Sequence, residues 1–575
     1  MAATESFYLP NECWEHVFNS LNDGDNHHHR RYLQSISAVS KQFLSITSTN
    51  QFSLTIHNQT LPFLRNLFQR FTNLTSLDLT RFSGDRDALL SQISLFPLQI
   101  KSLNLSNHPT VPSIGLQVFS QKITTLTSLI CSNIDSIHKT DISVIAHCFP
   151  LLEELDLCLA LPKCTGDFVD DFDINAFSIA LPKLRKVNLS NSNFINDSSL
   201  FHLFKNCEFL EEVVVLNCIH LTHIGIASAM RERPNLKSFS VNFAKEVEGM
   251  FIDSLRSLKD LTCLDLSSSH ISNQLLKSLA NQGLLRLKRL VLNRCSGFGY
   301  VGIHYLLSKY CFLQHLDLQL AMFLDDHRVA KLSLFLGNLV SINLSNCRML
   351  TELTLFTLIK KCPFVEEIRM EYTSIGKPGV VKDNSLIDFD VNLQMKSLHL
   401  SSNPWLNNET IKTIASFCPN LQFLDISSCW GIYEGIVEVL RKCSKIMHLN
   451  LASCLRVNLL GMNFQVPKLE VLSLKMTKID DETLYVISKS CPWLLHLNLE
   501  QCSEITEKGV MQVVENCTQL KEINLQHCCK VAADVDLWMM IVMSRPTLRK
   551  IMAPAHFRPR NKKWKPLLDH GCFIC

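Results

Sequence analysis

The sequence lacks both a long apolar run and a secretory leader. No uninterrupted apolar stretch approaches the roughly 18 residues that a membrane-spanning helix needs. Residues 1–10 do not combine a basic segment with an apolar core, which is the pattern of a signal peptide. We therefore expect a protein of the cytoplasm, the nucleus or both.

An excess of either charge is also missing. The chain has 56 basic and 53 acidic residues and a formal net charge of +3. Nucleic-acid-binding proteins usually carry a basic excess, so this near balance gives no reason to expect a nucleic-acid partner.

Motifs that carry enzymatic chemistry are absent as well. The sequence contains no GxxxxGK[ST] phosphate loop, no HExxH metal site and no GxSxG nucleophile elbow in a suitable context. We therefore expect a non-catalytic chain without a cofactor or a metal.

What the chain does contain is a repeat. At 575 residues it is too long for one ordinary core. The pattern Leu-x-x-Leu-x-Leu-x-x-Cys begins at Leu494 and again, with Ile at its second apolar position, at Leu520, a step of 520 − 494 = 26 residues. Alternating apolar residues predict a short strand with one buried face, and the apolar spacing after Thr506 predicts a helix. Each unit is thus a strand, a turn and a helix, as in a leucine-rich repeat.

The same frame recurs through most of the chain. Its first apolar residues are Leu74, Ile100, Leu126, Leu152, Leu184, Leu210, Leu236, Leu261, Leu287, Leu313, Leu339, Val365, Met395, Leu421, Ile446, Leu469, Leu494, Leu520 and Leu548. Stacked copies share a continuous core. The predicted fold is α/β: a right-handed leucine-rich-repeat solenoid of about 19 copies over residues 51–555, a horseshoe with a parallel inner sheet and outer helices.

Two longer steps locate insertions. The step from Leu152 to Leu184 is 32 residues and includes the acidic segment 167–173, and the step from Val365 to Met395 is 30 residues. Insertions of this kind emerge at one edge of a solenoid and often carry function, although drift explains them equally well.

The 23 cysteines follow the repeat. Seven stand three residues after the strand pattern and eight end the predicted helices: Cys218, Cys295, Cys347, Cys429, Cys454, Cys502 and Cys528, then Cys148, Cys207, Cys311, Cys362, Cys418, Cys443, Cys491 and Cys517. Two recurring slots indicate reduced cysteines that pack as small hydrophobic residues rather than disulfides.

Residues 1–50 have a different character. Trp14, Val17, Phe18 and Leu21 are spaced as one face of a helix, and residues 32–46 form a second amphipathic stretch. About 40 residues of helix cannot bury enough surface to be very stable alone, so a partner or the solenoid must cover them.

This segment resembles the F-box. The matching residues are Leu9-Pro10, Glu12, Val17-Phe18-x-x-Leu21 and Val39-Ser40-Lys41-Gln42-Phe43. Phe43 replaces the more usual Trp, and a polar loop, residues 22–31 with three histidines, replaces the usual short linker. We interpret that loop as solvated rather than as a metal site.

An F-box before a leucine-rich array resembles the F-box/leucine-rich-repeat family of plants and animals, here the plant type with cysteine-containing repeats. The resemblance implies a small all-α F-box over residues 1–50 and a substrate-recognition subunit of a Skp-cullin-F-box ubiquitin ligase. The solenoid would hold a target protein for ubiquitination and proteasomal degradation. The residues implied to dock on the Skp-type adaptor, and through it on a cullin, are Leu9, Pro10, Val17, Phe18, Leu21, Val39 and Phe43.

Two alternatives stay open: a ubiquitin-independent interaction scaffold, and a receptor whose target binding depends on a small molecule. Some family members bind a polyphosphate through many inward-facing bases. The outward strand positions here offer only Lys186, Arg289, Arg369 and Lys475, so we expect no inositol phosphate.

The target site is predicted where the repeat pattern is broken. Most central residues of the LxL strands are Asp or Asn, whereas Arg369 and His399 depart from this pattern. Aromatic residues and arginine are the common anchors of protein interfaces. The predicted target-binding residues are Arg369, Glu371, His399, Trp405 and Trp430.

The sequence ends in a basic tail, residues 556–575, that closes with Cys572-Phe573-Ile574-Cys575. This ending partly fits a prenylation signal at Cys572, with the basic stretch as a second membrane signal. A plain capping tail and a CxxC metal site are the alternatives. A membrane is a predicted partner only if Cys572 is lipidated.

Overall fold

The computed structural model describes residues 13, 14, 17, 37, 39–160, 174–243, 249–281, 286–378, 391–531, 535–554 and 572–574. These residues form two compact units, one before residue 262 and one from Thr262 onward. No helix among them is long and apolar enough to cross a bilayer.

The first unit begins with the helical residues predicted to form the F-box. Cys13, Trp14, Val17 and Ser37 have helical backbone, and helix α1 covers Lys41–Thr49. Ser40 caps α1 because its hydroxyl accepts a hydrogen bond from the Phe43 amide at 3.0 Å. The rings of Trp14 and Phe43 meet edge to face, with centroids 4.7 Å apart, so the two predicted helices contact each other.

In the first unit, the described residues include eight parallel strands, β1 to β8, in sequence order. Their bounds are Ser53–Thr55, Ser76–Asp78, Ser102–Asn104, Ser128–Ile130, Glu154–Asp156, Lys186–Asn188, Glu212–Val215 and Ser238–Val241. Helices α2 to α9 are Leu64–Arg70, Arg86–Ile93, Ser113–Ser120, Lys139–Cys148, Ile174–Ala180, Asp197–Asn206, His223–Arg231 and Gly249–Leu255, and a 3₁₀ turn covers Asn58–Phe63.

The second unit repeats this order with thirteen parallel strands, β9 to β21, among its described residues. Their bounds are Cys263–Asp265, Arg289–Val291, His315–Asp317, Ser341–Asn343, Glu367–Arg369, Ser397–His399, Phe423–Asp425, His448–Asn450, Val471–Ser473, His496–Asn498, Glu522–Asn524, Lys550–Met552 and Phe573–Ile574. Helices α10 to α18 are Asn273–Asn281, Tyr300–Leu307, Asp326–Leu332, Glu352–Lys361, Asn408–Phe417, Gly435–Lys442, Asp481–Ser490, Glu507–Asn516 and Val535–Ser544, and a 3₁₀ turn covers Ser333–Phe335.

In every predicted repeat, a strand begins two residues after the first apolar residue of the pattern. This agreement confirms the leucine-rich-repeat solenoid. In β18, Leu497 is 2% exposed, whereas His496 and Asn498 on either side are partly exposed on the other face. Neighbouring strands pair in register, so that Leu497 stands beside Ile523 of β19. Each unit therefore buries one continuous layer of apolar residues behind its sheet.

A left-handed residue follows most strands. Among the described residues, fifteen non-glycine residues have positive φ, and each lies three residues after the last outward strand position: Asn107, Asn133, Asn191, Asn217, Ser268, Arg294, Leu320, Asn346, Tyr372, Ser402, Ser428, Ser453, Met476, Gln501 and His527. Asparagine tolerates this conformation better than most residues. The repeat therefore imposes the left-handed backbone conformation at this turn position, whichever residue type stands there.

The first cysteine slot supplies a hydrogen-bond donor. All seven of its thiols lie close to a backbone carbonyl oxygen of the preceding repeat, at Sγ–O distances from 2.9 Å (Cys295 to Leu266) to 3.5 Å (Cys347 to Leu318). His108 Nε2 lies 2.8 Å from the Leu79 oxygen in the same slot, and Asn403 Nδ2 donates to Met370 at 2.8 Å. Burial raises the pKa of the Cys528 thiol to about 12, which keeps its donor proton in place. These cysteines are structural, as predicted, and they also bond neighbouring repeats together.

A second interaction couples the starts of neighbouring helices in three places. The Asp481 carboxylate accepts hydrogen bonds from the Thr506 amide at 2.9 Å and from its hydroxyl at 2.5 Å. Thr506 is the N-cap of α17. The pairs Asp197 with Thr222 and Asp326 with Thr351 repeat this geometry. In these pairs, an acidic residue at the start of one helix binds the N-cap residue of the next helix.

This carboxylate explains a glycine in the next helix. A Cβ at Gly509 would lie 2.3 Å from Asp481 Oδ1, and one at Gly225 would lie 1.9 Å from Asp197 Cγ. A residue larger than glycine would therefore displace the Asp481 or Asp197 carboxylate from its hydrogen bonds.

We predict that Gly509→Ala destabilises α17 by about 1–3 kcal/mol, because the methyl group overpacks the Asp481 carboxylate. In an Asp481→Ala background the methyl group has room, and the better helix propensity of alanine should offset its cost. Hydrogen exchange of peptides covering residues 507–516 measures both values. Gly337→Ala is the control, since no atom lies within 4 Å of its added Cβ. An equal cost of Gly509→Ala with and without Asp481 would contradict this explanation.

Candidate functional site

Three of the residues implied to dock on an adaptor lie within the described residues. Val17 is 46% exposed and Val39 is 68% exposed, whereas Phe43 is partly buried against Trp14. Apolar side chains with this exposure on a small helical segment leave a surface for a partner. Leu9, Pro10, Phe18, Leu21 and the three histidines of the polar loop lie outside the described residues.

On the sheet of the second unit, two predicted target-binding residues share one carboxylate. Arg369 places Nε 2.8 Å and Nη2 2.7 Å from Glu367 Oε1. His399 on the next strand places Nε2 3.3 Å from the same oxygen. The His399 ring also lies against Phe423, with centroids 4.6 Å apart. Strands β13 to β15 thus hold an ordered, charged cluster on the sheet surface.

The electrostatics of the cluster centre on Glu367. Hydrogen bonding to His399, together with the hydrogen bond and charge of Arg369, lowers the pKa of Glu367 to about 2, against the opposing effect of burial. The carboxylate therefore remains ionised throughout the physiological range. It fixes Arg369 and His399 in place and leaves part of the guanidinium open to solvent.

A depression of about 530 Å³ adjoins this cluster and is lined by residues of β10 to β13. Arg289, His315 and Asp317 face it from one side, and Glu367 and Arg369 from the other. Burial, followed by the charge of Arg289, lowers the pKa of His315, whose Nδ1 lies 2.8 Å from the Ser341 hydroxyl oxygen. This mixed lining suits polar or charged side chains of a bound protein better than an apolar small molecule. Our target-site prediction omitted His315 because it started from breaks in the Asp/Asn pattern at the central LxL position, and His315 stands two positions before that residue on the same face.

Trp405 and Trp430 lie on a different surface. They belong to the turns after β14 and β15 and are 51% and 60% exposed. Glu371 lies between the two surfaces in sequence, two residues after β13, where its carbonyl accepts a hydrogen bond from the Asn346 amide at 2.7 Å. The five predicted target-binding residues therefore divide between the sheet and its turn edge.

The outward bases considered for polyphosphate binding are largely engaged with carboxylates. Lys186 lies 3.0 Å from Glu212, and Lys475 lies 3.0 Å from Glu500. Arg369 is held by Glu367. The described residues also contain no group of three His, Cys, Asp or Glu residues placed to hold a metal ion.

Cys572, the residue considered for lipidation, immediately precedes β21. It is 1% exposed, and burial raises the pKa of its thiol to about 11. Strand β21 pairs in parallel with β20. A lipid-transferring enzyme would reach Cys572 only after β21 left the sheet. The basic segment 556–565 lies outside the described residues.

Comparison with curated proteins finds sequence relatives, and one of them is an F-box/leucine-rich-repeat protein. No protein-family model matches the chain. It is 24% identical over 234 residues to F-box/LRR-repeat protein 4 of Bos taurus, a match that covers 36% of this chain and 34% of that protein. The chain thus spans about a third of the length of this relative. The match supports the resemblance to F-box/leucine-rich-repeat proteins, and the plant-type subdivision stays a prediction.

Solved structures with similar folds are more distant. An internalin of Listeria monocytogenes is 15% identical with a TM-score of 0.41, over 60% of this chain and 88% of that one. The yeast Rad7–Elc1 structure is 15% identical with a TM-score of 0.43, over 75% and 96%. The TLR13–ssRNA13 structure is 16% identical with a TM-score of 0.43, over 88% and 75%.

We predict that Glu367→Gln lowers thermal stability at pH 7 and that this difference shrinks as the pH falls from 4.5 towards 2. The sign follows from the lowered pKa, because an ionised Glu367 stabilises the fold above its ordinary pKa and loses that contribution on protonation. Melting temperatures of both proteins at several pH values measure the effect.

Glu366→Gln is the matched control for this prediction. Glu366 makes an exposed ion pair with Lys396 at 2.8 Å, and such pairs contribute little to stability. A loss of stability in Glu367→Gln that is the same at pH 7 and pH 3 would contradict the assigned role of its charge.

Proposed function

We propose that this chain is the substrate-recognition subunit of a Skp-cullin-F-box ubiquitin ligase. Its N-terminal segment would bind a Skp-type adaptor, which connects it to a cullin, and its repeats would bind a target protein. The observation that carries the proposal is the F-box pattern ahead of a leucine-rich solenoid, together with sequence similarity to an F-box/LRR-repeat protein.

The N-terminal geometry supports the adaptor half of the proposal. Val17 and Val39 expose their side chains on a segment whose helices contact each other through Trp14 and Phe43. Exposed valines beside an ordered aromatic pair form an apolar surface that association with a partner would bury.

The repeats support the target half. The Glu367 cluster presents an arginine in a fixed orientation, and the neighbouring turns present tryptophans. A preordered arginine loses little conformational entropy on binding, and arginine and aromatic side chains commonly dominate interface energies.

The mechanism is one of proximity rather than catalysis by this chain. Holding a target near a ubiquitin thioester on another subunit raises the effective concentration of its lysines. The chain itself needs only two binding surfaces, one for the adaptor and one for the target. Its place of action in the cytoplasm or nucleus follows from the same proposal.

We predict that Val17→Asp and Val39→Asp each weaken binding of a purified Skp-type adaptor to the full-length chain by about tenfold or more, because a carboxylate would be buried in an apolar contact. Surface plasmon resonance with immobilised adaptor measures the affinities.

Phe63→Asp is the control, since Phe63 is also an exposed apolar residue, at 58%, but lies outside the F-box pattern. Failure of the wild-type chain to bind the adaptor would refute the proposal and favour a ubiquitin-independent scaffold. Unchanged binding by both valine variants would refute the assigned surface.

A further inference from the structure

A row of large apolar side chains projects from consecutive turns of the second unit. We call this row the tryptophan edge. It consists of Met349 (64% exposed), Tyr372 (55%), Trp405 (51%), Trp430 (60%), Leu455 (47%) and Met476 (43%). These residues occupy the turns that follow strands β12 to β17, so each repeat in this range contributes one.

The turns of the tryptophan edge stack directly on one another. The Ser374 amide donates to the Leu350 carbonyl at 2.8 Å. A Cβ at Gly376 would lie 2.1 Å from the Trp405 oxygen, and one at Gly431 would lie 2.4 Å from the Leu406 oxygen. Only glycine permits these approaches, and Gly376 also has a positive φ of 81°. The turns after β12 to β15 are therefore packed against one another rather than separate loops.

The two tryptophans are not required by the core. Leu406 and Ile432, which flank them in sequence, are both 0% exposed and fill the interior positions of the turns. About half of the surface of each tryptophan side chain remains exposed to solvent. Folding therefore gains no hydrophobic free energy from that part of the indole. Contiguous exposed apolar surface of this kind marks an interaction site.

Basic residues accompany the row. Arg348, Lys377, Arg456 and Lys478 are exposed on the same turns. The Arg456 guanidinium lies 5.3 Å from the centre of the Tyr433 ring, and within the described residues no carboxylate forms an ion pair with Arg348, Lys377 or Lys478.

Carboxylates are fewer on these turns. The acidic residues of these turns are Glu371, Glu434 and Asp480, and Asp480 keeps its charge while it caps α16, because the hydrogen bonds from Thr483 lower its pKa. Four bases therefore stand beside three carboxylates, which leaves these turns with a small basic excess.

We infer that the tryptophan edge binds an extended acidic segment of a partner protein, one in which aromatic or aliphatic side chains alternate with Asp or Glu. The apolar side chains would pack on the indoles, and the carboxylates would pair with the flanking bases. The row covers five strand spacings of about 4.8 Å, so about seven extended residues span it. This inference rests on the proposed function in one respect: the partner would be the target.

The test uses three fluorescent twelve-residue peptides and the full-length chain. The first alternates Trp or Leu with Asp or Glu, the second replaces each acid by Lys, and the third replaces each apolar residue by Ser. Fluorescence anisotropy should show saturable binding of the first peptide only. Its affinity should fall with added salt, because the charges are exposed.

Two variants locate the site. Trp405→Ala combined with Trp430→Ala should weaken the first peptide by about tenfold or more, as truncation of aromatic anchors does at other interfaces. Arg348→Glu combined with Lys478→Glu should weaken it and allow the basic peptide to bind. Trp493→Ala and Lys361→Glu are matched controls, because both residues are exposed elsewhere, Trp493 at 49%. Circular dichroism confirms that every variant is folded.

Equal binding of the acidic and basic peptides would overturn the inference, and so would unchanged affinity in the double tryptophan variant. The assay contains no adaptor. Binding of the acidic peptide without binding of the Skp-type adaptor would therefore support this inference and refute the proposed function. Binding of the adaptor without binding of the acidic peptide would support the proposed function and refute this inference.

Discussion

Each repeat depends on hydrogen bonds that its neighbour supplies. A strand of three residues leaves turn carbonyls and helix N-termini without partners in their own repeat, and a buried polar group without a partner is costly. The preceding repeat's carbonyl accepts from the Cys528 thiol or its counterparts, and the Asp481 carboxylate accepts from Thr506, the N-cap residue of the following helix. These contacts require a fixed register between repeats. That register aligns the outward residues into the columns and rows from which the binding surfaces are built.

Much of this architecture could be predicted because the leucine period is a direct consequence of burial. One apolar frame located all the predicted strands, and the recurrence of the cysteines correctly identified them as structural. Their donor role could not be predicted, since the sequence does not show which carbonyl lacks a partner. The coupling of Asp481 to Gly509 was missed for the same reason: it joins residues of neighbouring repeats and has no local signal.

The predicted target site shows a similar limit. Breaks in the outward pattern pointed to Arg369 and His399, but only the pairing of β13 with β14 shows that both contact Glu367. Trp405 and Trp430 were selected as aromatics near this cluster. Their position on the turn edge depends on Leu406 and Ile432 taking the interior positions, which an apolar pattern alone does not decide. The sheet cluster offers fixed charge, and the turn edge offers apolar area with basic residues beside it. A protein segment that used both would gain orientation from the first and affinity from the second.

The central claim is that one chain has two separate binding surfaces, an adaptor surface within residues 1–50 and a target surface on the turns and strands of β12 to β17. Hydrogen exchange of the full-length chain, with and without a purified Skp-type adaptor, tests this most directly. The account predicts slower exchange in peptides from residues 1–50 and unchanged exchange in peptides from residues 341–378 and 395–480. Adaptor-induced protection of the second region, or none in the first, would contradict it.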